Sequence, residues 1–220
     1  MLLISHRARG FGFPENSEAA LSAALKSATS EVEIDLYRSA SGEYLASHWP
    51  LWLTGQRGKM SLQELIDCFR GSVEGGSQKG LRLDIKSVGG EDLLLKRVLE
   101  AKILASVTFM SRHVEALAAI LRQAPVARIS QSIVLSGVSE TVDWFLYRSA
   151  IESGEKAGIN RNSVTLFSLL GSYSNKIVEE ALSNASEVVV CVSSTTDLNR
   201  LKALGVQAFL AKEVSSILSS

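Results

Sequence analysis

Eight short apolar runs, rich in β-branched residues, recur along this chain and alternate with stretches of helical periodicity. The runs are Leu2–Ser5, Val32–Tyr37, Leu81–Lys86, Ser106–Met110, Ala127–Gln131, Val164–Phe167, Val188–Val192 and Gln207–Ala211. Short apolar runs bounded by turn signals are the pattern of strands buried on both faces. Between them, residues 17–27, 91–102, 114–123, 139–157, 175–183 and 196–204 carry apolar side chains at helical spacing; in the second of these, Leu94, Leu95, Val98 and Leu99 share one face. Gly158 and Gly205 stand where helix C-caps are expected, each ahead of a strand run.

Strands alternating with helices imply parallel pairing through right-handed crossovers. Eight such units predict an α/β fold, a closed (β/α)8 TIM barrel, as a single domain over residues 1–220. That length is near the lower end for the fold, for which about 250 residues is typical. The alternative is an open doubly wound sheet, but its G-x-G-x-x-G fingerprint is missing: Gly10-Phe11-Gly12 lacks the third glycine.

One interval is longer than the rest. Between Tyr37 and Leu81, Ser41-Gly42 reads as a turn, Tyr44–Ser47 as a short extra strand, Gly55–Gly58 as a loop and Ser61–Phe69 as a helix, with Ser61 as N-cap and Glu64 three residues on. A loop enlarged after the second strand falls at the strands' C-terminal face, where barrel enzymes place their active sites.

Charge and composition limit the partners. Lys plus Arg and Asp plus Glu both total 23, so bulk electrostatics give no reason to expect nucleic acid or an anionic membrane. Two cysteines, Cys68 and Cys191, cannot form a disulfide framework and read as small buried side chains. No stretch reaches the roughly 20 mostly apolar residues of a membrane span. Met1–Ile4 is too short for a signal peptide. These features lead to the expectation of a cytoplasmic protein without stable membrane insertion.

The chemistry concentrates early in the chain. His6, His48 and His113 each fall at or just after a strand end. Within Glu31-Val32-Glu33-Ile34-Asp35-Leu36, alternation puts Glu33 and Asp35 on one face and Val32, Ile34 and Leu36 on the other. Two inward carboxylates are electrostatically costly unless a positive charge lies between them, and hard oxygen ligands suit magnesium or calcium. In the next strand Asp84 and Lys86 share a face with Arg82; Asp84 could complete a metal site and Lys86 could neutralise a substrate oxyanion or hold a carboxylate ligand in place. Arg7 is placed to grip a phosphate. Gly10 and Gly12 permit a tight loop, and Glu15 or Asn16 would cap the first helix and order the mouth. Trp49 or Trp144 could pack a quaternary ammonium. Trp52, Leu53 and Phe69 read as packing near the mouth, and Asp143–Tyr147 as a helix face against the barrel.

The order His6-Arg7, Pro14-Glu15-Asn16-Ser17, Glu33-x-Asp35, Ser41-Gly42 and His48 resembles the glycerophosphodiester phosphodiesterase family, whose usual pattern is H-R-G, P-E-N-T, E-x-D, a D-G turn and H-D. Leu83-Asp84-Ile85-Lys86 resembles its E-x-K element, and Leu204-Gly205-Val206-Gln207-Ala208-Phe209-Leu210 its closing G-V-D-G-I-I-T-D strand. The resemblance implies a (β/α)8 barrel that hydrolyses a glycerophosphodiester, a small-molecule substrate, to sn-glycerol 3-phosphate and an alcohol. It implies His6 and His48 as the acid/base pair, one divalent cation (magnesium or calcium) held by Glu33, Asp35 and Asp84, and phosphate contacts from Arg7 and Lys86. Glu15 and Asn16 support the mouth. The chain departs from the pattern at Ala8 (usually glycine), Trp49 (usually aspartate), Asp84 (usually glutamate) and Cys191-Val192-Ser193 (often W-T-V-N). Two other activities fit the same residues: a related phosphodiesterase for lysophospholipid or sphingolipid head groups, and a catalytically silent barrel that binds a phosphorylated ligand.

Overall fold

A computed structural model describes residues 1–159, 163–212 and 214. Among the described residues nine strands form one sheet: β1 (Leu2–Ser5), β2 (Glu31–Arg38), β3 (Tyr44–Ala46), β4 (Gly80–Ile85), β5 (Val107–Ser111), β6 (Arg128–Leu135), β7 (Ser163–Ser168), β8 (Val188–Val192) and β9 (Ala208–Ala211). All but β3 pair in parallel, and β1 bonds both β9 and β2, which closes the sheet into an eight-stranded barrel. The eight runs expected from the sequence are these eight strands. The helices around them are α1 (Glu18–Lys26), the short α2 (Leu51–Thr54), α3 (Leu62–Glu74), α4 (Glu91–Glu100), α5 (Val114–Gln123), α6 (Glu140–Lys156), α7 (Asn175–Asn184) and α8 (Thr195–Ala203).

Residue alternation along β2 separates two environments. Val32, Ile34 and Leu36 are buried in the same apolar cluster as Leu21 and Leu25 of α1 and Leu65, Ile66 and Phe69 of α3. Glu31, Glu33 and Asp35 are buried too, on the other face, inside the barrel. The register of β2 on β4 then sets Glu33 beside Arg82 and Asp35 beside Asp84. Gly80 lies opposite Glu31, and a Cβ there would come within 2.7 Å of the Glu31 side chain, so glycine leaves that carboxylate its room.

The barrel floor is polar. The fully buried Arg82 guanidinium meets Glu31 and Glu187, with 2.8 Å between Arg82 Nη2 and Glu187 Oε2, and Arg128 Nη2 is 3.0 Å from Glu31 Oε1. Such a group is satisfied only as a set, because an uncompensated buried charge is far more costly than a paired one.

The extra strand behaves as its sequence suggests. β3 runs antiparallel to the upper end of β2, pairing Leu36 with Ala46 and Arg38 with Tyr44. It carries the chain back down, so that the Ser47 amide donates to the Asp35 carbonyl at 3.0 Å. Ser61 caps α3 in a capping box with Glu64. Helix α1 is capped by Ser17, whose Oγ accepts from the Ala20 amide; Glu15 and Asn16, expected as caps, are used elsewhere. Gly158 and Gly205 take the positive φ of 81° and 96° expected after α6 and α8. Leu99 departs from the expected buried face of α4: it is exposed, while Leu94, Leu95 and Val98 are buried. Among the described residues, no helix is long and apolar enough to cross a membrane.

Candidate active site

At the C-terminal end of β1 the chain turns sharply through a 3-10 turn, His6–Ala8. Arg7 and Ala8 have φ of 55° and 53°. This left-handed backbone, uncommon without glycine, turns the Arg7 amide onto Glu33, where it donates to Oε2 at 2.7 Å. The same turn buries His6 in the barrel, with Nε2 3.9 Å from Glu33 Oε2.

Asp35 is the hub of the mouth. Its Oδ2 faces Arg7 Nε at 3.1 Å and His48 Nδ1 at 3.1 Å, and accepts from Asn16 Nδ2 at 3.2 Å. Its Oδ1 lies 2.8 Å from Lys86 Nζ, which also contacts Asp84 Oδ2. Asn16, held at φ 57°, returns a second bond by accepting the Asp35 amide at 3.1 Å. Glu15 stands outside this hub and holds the guanidinium groups of Arg7 (3.4 Å) and Arg9 (3.5 Å). The expected set of His6, Arg7, Glu15, Asn16, Glu33, Asp35, His48, Asp84 and Lys86 is therefore brought to one mouth.

His113 sits beside that set. Its Nε2 is 3.2 Å from the Lys86 carbonyl, and its contacts are with backbone and Arg112. Trp144 lies on α6 near Tyr147, and Lys176 Nζ covers its ring at 4.5 Å. Trp52 and Leu53 do not pack near the mouth as expected; both project into solvent, whereas Phe69 is fully buried in the core. Within 143–147, Asp143 and Tyr147 are buried and Phe145 is exposed, so only part of that face packs. Of the two cysteines, Cys191 is buried and Cys68 half-buried.

Two residues of the mouth carry no sequence signal of their own. The Phe167 ring lies 5.9 Å from that of His6, and Lys212 is near enough for its charge to disfavour protonation of His6. Phe167 reads as one more apolar strand residue, and Lys212 as an ordinary surface lysine. Only closure of β9 against β1 and β8 brings the latter to the mouth.

Electrostatics divides these groups. Burial, with the Arg7 charge next, pushes the His6 imidazole well below its ordinary 6.5, against the opposing pull of Asp35. Burial pushes Asp35 upward, but the His48 hydrogen bond and the charges of Lys86 and Arg7 outweigh it and hold the carboxyl well below its usual range. Burial opposes the charge on Lys86 as well, yet Asp84, Asp35 and Glu33 keep it cationic beyond the ordinary lysine range. Glu33 goes the other way: burial and the neighbouring Asp35 and Asp84 push its carboxyl well up.

The residues present fit a divalent cation. One carboxylate oxygen each from Glu33, Asp35 and Asp84 lie within 4.8 Å of one another, all three residues being buried. Glu33 Oε1 is buried without a hydrogen-bond partner among the described residues. Three buried carboxylates that each offer a hard oxygen, with Glu33 left one oxygen unbonded, suit a divalent cation.

No family model and no curated protein sequence matches this chain. Solved structures do match its fold. The Oleispira antarctica phosphodiesterase, solved in complex with the product sn-glycerol-3-phosphate, has a TM-score of 0.69 at 18% identity, covering 100% of this chain and 96% of that one. The glycerophosphodiester phosphodiesterase of Thermotoga maritima has a TM-score of 0.65 at 18% identity, with 100% and 97% covered. That of Agrobacterium tumefaciens has a TM-score of 0.65 at 16% identity, with both chains fully covered. At these identities the likeness is one of fold, and it spans the chain.

Proposed function

We propose that residues 1–220 form one catalytic barrel unit, a phosphoric diester hydrolase that cleaves glycerophosphodiesters to sn-glycerol 3-phosphate and an alcohol. The observation that carries this reading is the convergence of His6 and His48 on one buried group of three carboxylates with two cations, Arg7 and Lys86, in the same mouth.

A phosphodiester carries one negative charge, and more develops on its oxygens as the ester bond breaks. Arg7 and Lys86 supply fixed positive charge beside the carboxylates, preorganised by Glu15, Asp35 and Asp84. Magnesium or calcium held by Glu33, Asp35 and Asp84 would supply further stabilisation of charge on the phosphoryl oxygens.

The two histidines take different parts. His6 is kept neutral by burial and by Arg7, which suits a general base that takes the proton from the attacking oxygen, either of water or of a substrate hydroxyl whose cyclic phosphate product water then opens. His48 sets Nδ1 against the anionic Asp35, which orients the ring and leaves Nε2 as the atom that hands a proton to the departing alkoxide. Asp35 gives His48 a carboxylate partner although residue 49 is tryptophan. That contact weighs against the silent-barrel reading.

The test is release of sn-glycerol 3-phosphate from glycerophosphocholine and glycerophosphoethanolamine by purified protein, with magnesium or calcium added. Turnover that is lost in H6A and in H48A is the expected result. Binding of these substrates without turnover in any metal would overturn the reading.

A further inference from the structure

The loop after His48, residues 49–59, contains two tryptophans, two leucines, Arg57 and Lys59, and no acidic side chain. Most of its apolar side chains are not used in packing. Only Leu51 of α2 is buried, while Trp52 is 85% and Leu53 61% exposed. Arg57 is exposed beside them. Large apolar groups left in water together mark an interaction surface, whereas single ones need no explanation.

This surface adjoins the mouth. The Trp49 ring, itself exposed, meets the His48 ring edge-on at 4.7 Å between centroids. Other loops on the same end of the barrel add to it. Phe13 follows β1, and Leu169 and Leu170 follow β7 directly; all three are exposed. Phe167, two residues before Leu169, lies against His6.

We propose that this rim docks on a lipid–water interface bearing anionic head groups. Trp49, Trp52 and Leu53 enter the head-group layer, and Arg57 and Lys59 pair with lipid phosphates. Tryptophan favours the boundary between head groups and hydrocarbon, where an apolar ring and a polar N–H are both accommodated. Basic side chains among such residues add attraction to an anionic surface. The chain's zero net charge conceals this local excess. Docking is peripheral, because the residues involved lie on loops and on a single helical turn.

The choice of lipid over a second copy of the chain rests on the proposed hydrolase reading. A copy seated on the rim would cover the mouth. A surface of phosphodiester head groups would instead present to the mouth the class of bond it is proposed to cleave.

The experiment is flotation of the purified full chain with phosphatidylcholine vesicles, with and without phosphatidylglycerol, alongside turnover of water-soluble glycerophosphocholine. Wild type is expected to float with the anionic vesicles. W52S/L53S is expected to bind them roughly 10-fold or more weakly. R57Q/K59Q is expected to lose roughly 5-fold per charge and with it the preference for anionic lipid. Both variants retain wild-type turnover of the soluble substrate. Wild type that stays unbound, or W52S/L53S that floats like wild type, overturns the proposal. So does a dimer in light scattering that W52S/L53S converts to monomer while vesicles fail to bind. Flotation without any phosphodiester hydrolysis supports docking and counts against the hydrolase reading; hydrolysis without flotation does the reverse.

Discussion

His48 Nδ1 and Asp35 Oδ2 lie 3.1 Å apart, joined across a β-turn and an antiparallel strand that fold the chain back onto β2. That contact fixes which imidazole nitrogen faces the carboxylate and which is left for chemistry. Replacing His48 with alanine is expected to lower kcat by about 10²–10⁴, the range for a lost general acid or base. The side chain is only 23% exposed and bonds the buried Asp35, so H48A is also expected to lower the thermal midpoint, and turnover is read at a temperature where the variant stays folded. A kcat within a few-fold of wild type would remove His48 from the reaction.

His6 sets the acid limit. Its pKa lies well below 6.5 because it is buried and next to Arg7, so the base form persists as pH falls through 6.5. The acid limb of kcat/KM is therefore expected below pH 6.5. The same shift acts on stability. The unfolded chain binds the His6 proton near 6.5 and the folded chain only at lower pH, so between those values the unfolded state holds more protons. The His6 contribution is fully present above 6.5 and is lost as pH falls below it. H6N should flatten that part of the stability–pH curve, as read from urea midpoints at several pH values.

Cation binding should be visible without turnover. If Glu33, Asp35 and Asp84 hold a divalent ion in the folded state alone, magnesium or calcium raises Tm by mass action, by about 2.7 kcal/mol of stability at 100 times Kd. E33Q keeps the shape of the side chain and removes its charge, and it should abolish the shift. An equal shift in E33Q would place the ion elsewhere.

Much of the barrel and its mouth could be read in the residue order, for identifiable reasons. Alternation in 31–36 is a local rule, so the inward carboxylates and outward Val32, Ile34 and Leu36 follow from the strand alone. The strand-end placement of His6 and His48 is local too. What residue order does not carry depends on closure or on loop geometry. Lys212 reaches the mouth only because β9 pairs with β1. Asn16, read as a cap that orders the mouth, reaches Asp35 through a left-handed φ of 57°, which residue order alone does not give, while Ser17 takes the cap. Trp52 and Leu53 carry an apolar signal indistinguishable from packing residues, and only the exposed path of their loop separates the two cases.

The barrel floor offers a stability test remote from the mouth. Arg82 is fully buried between Glu31 and Glu187. R82A would strand both carboxylates and is expected to lose about 3–5 kcal/mol in denaturant unfolding. Glu187 adds an acid dependence. Burial pushes its carboxyl up, but Arg82 and the Ser163 hydroxyl outweigh this and hold it below 4.5. Its stabilisation is thus present above 4.5 and lost as pH falls through the lower folded value. E187Q should blunt the loss of stability below pH 4.5, and an unchanged acid limb would show that this pair does not govern it.

Ala8 tests the turn that aims Arg7 at Glu33. Its φ of 53° lies in the left-handed region, where a Cβ crowds the following carbonyl and carries a penalty of about 1–2 kcal/mol. Glycine removes that penalty but makes the unfolded chain more flexible, which disfavours folding by about 0.4–1 kcal/mol. Loss of the buried methyl adds about 0.8 kcal/mol against folding, so the terms nearly cancel and A8G is expected to unfold within about 1 kcal/mol of wild type in urea. Arg7 reaches Glu33 Oε2 through its own backbone amide, at 2.7 Å, and the Ala8 side chain takes no part, so the substitution should leave kcat/KM near wild type. A loss well beyond about 1 kcal/mol would mean that the alanine methyl, fully buried in the apolar cluster shared with β2, α1 and α3, contributes more through packing than its backbone conformation withholds.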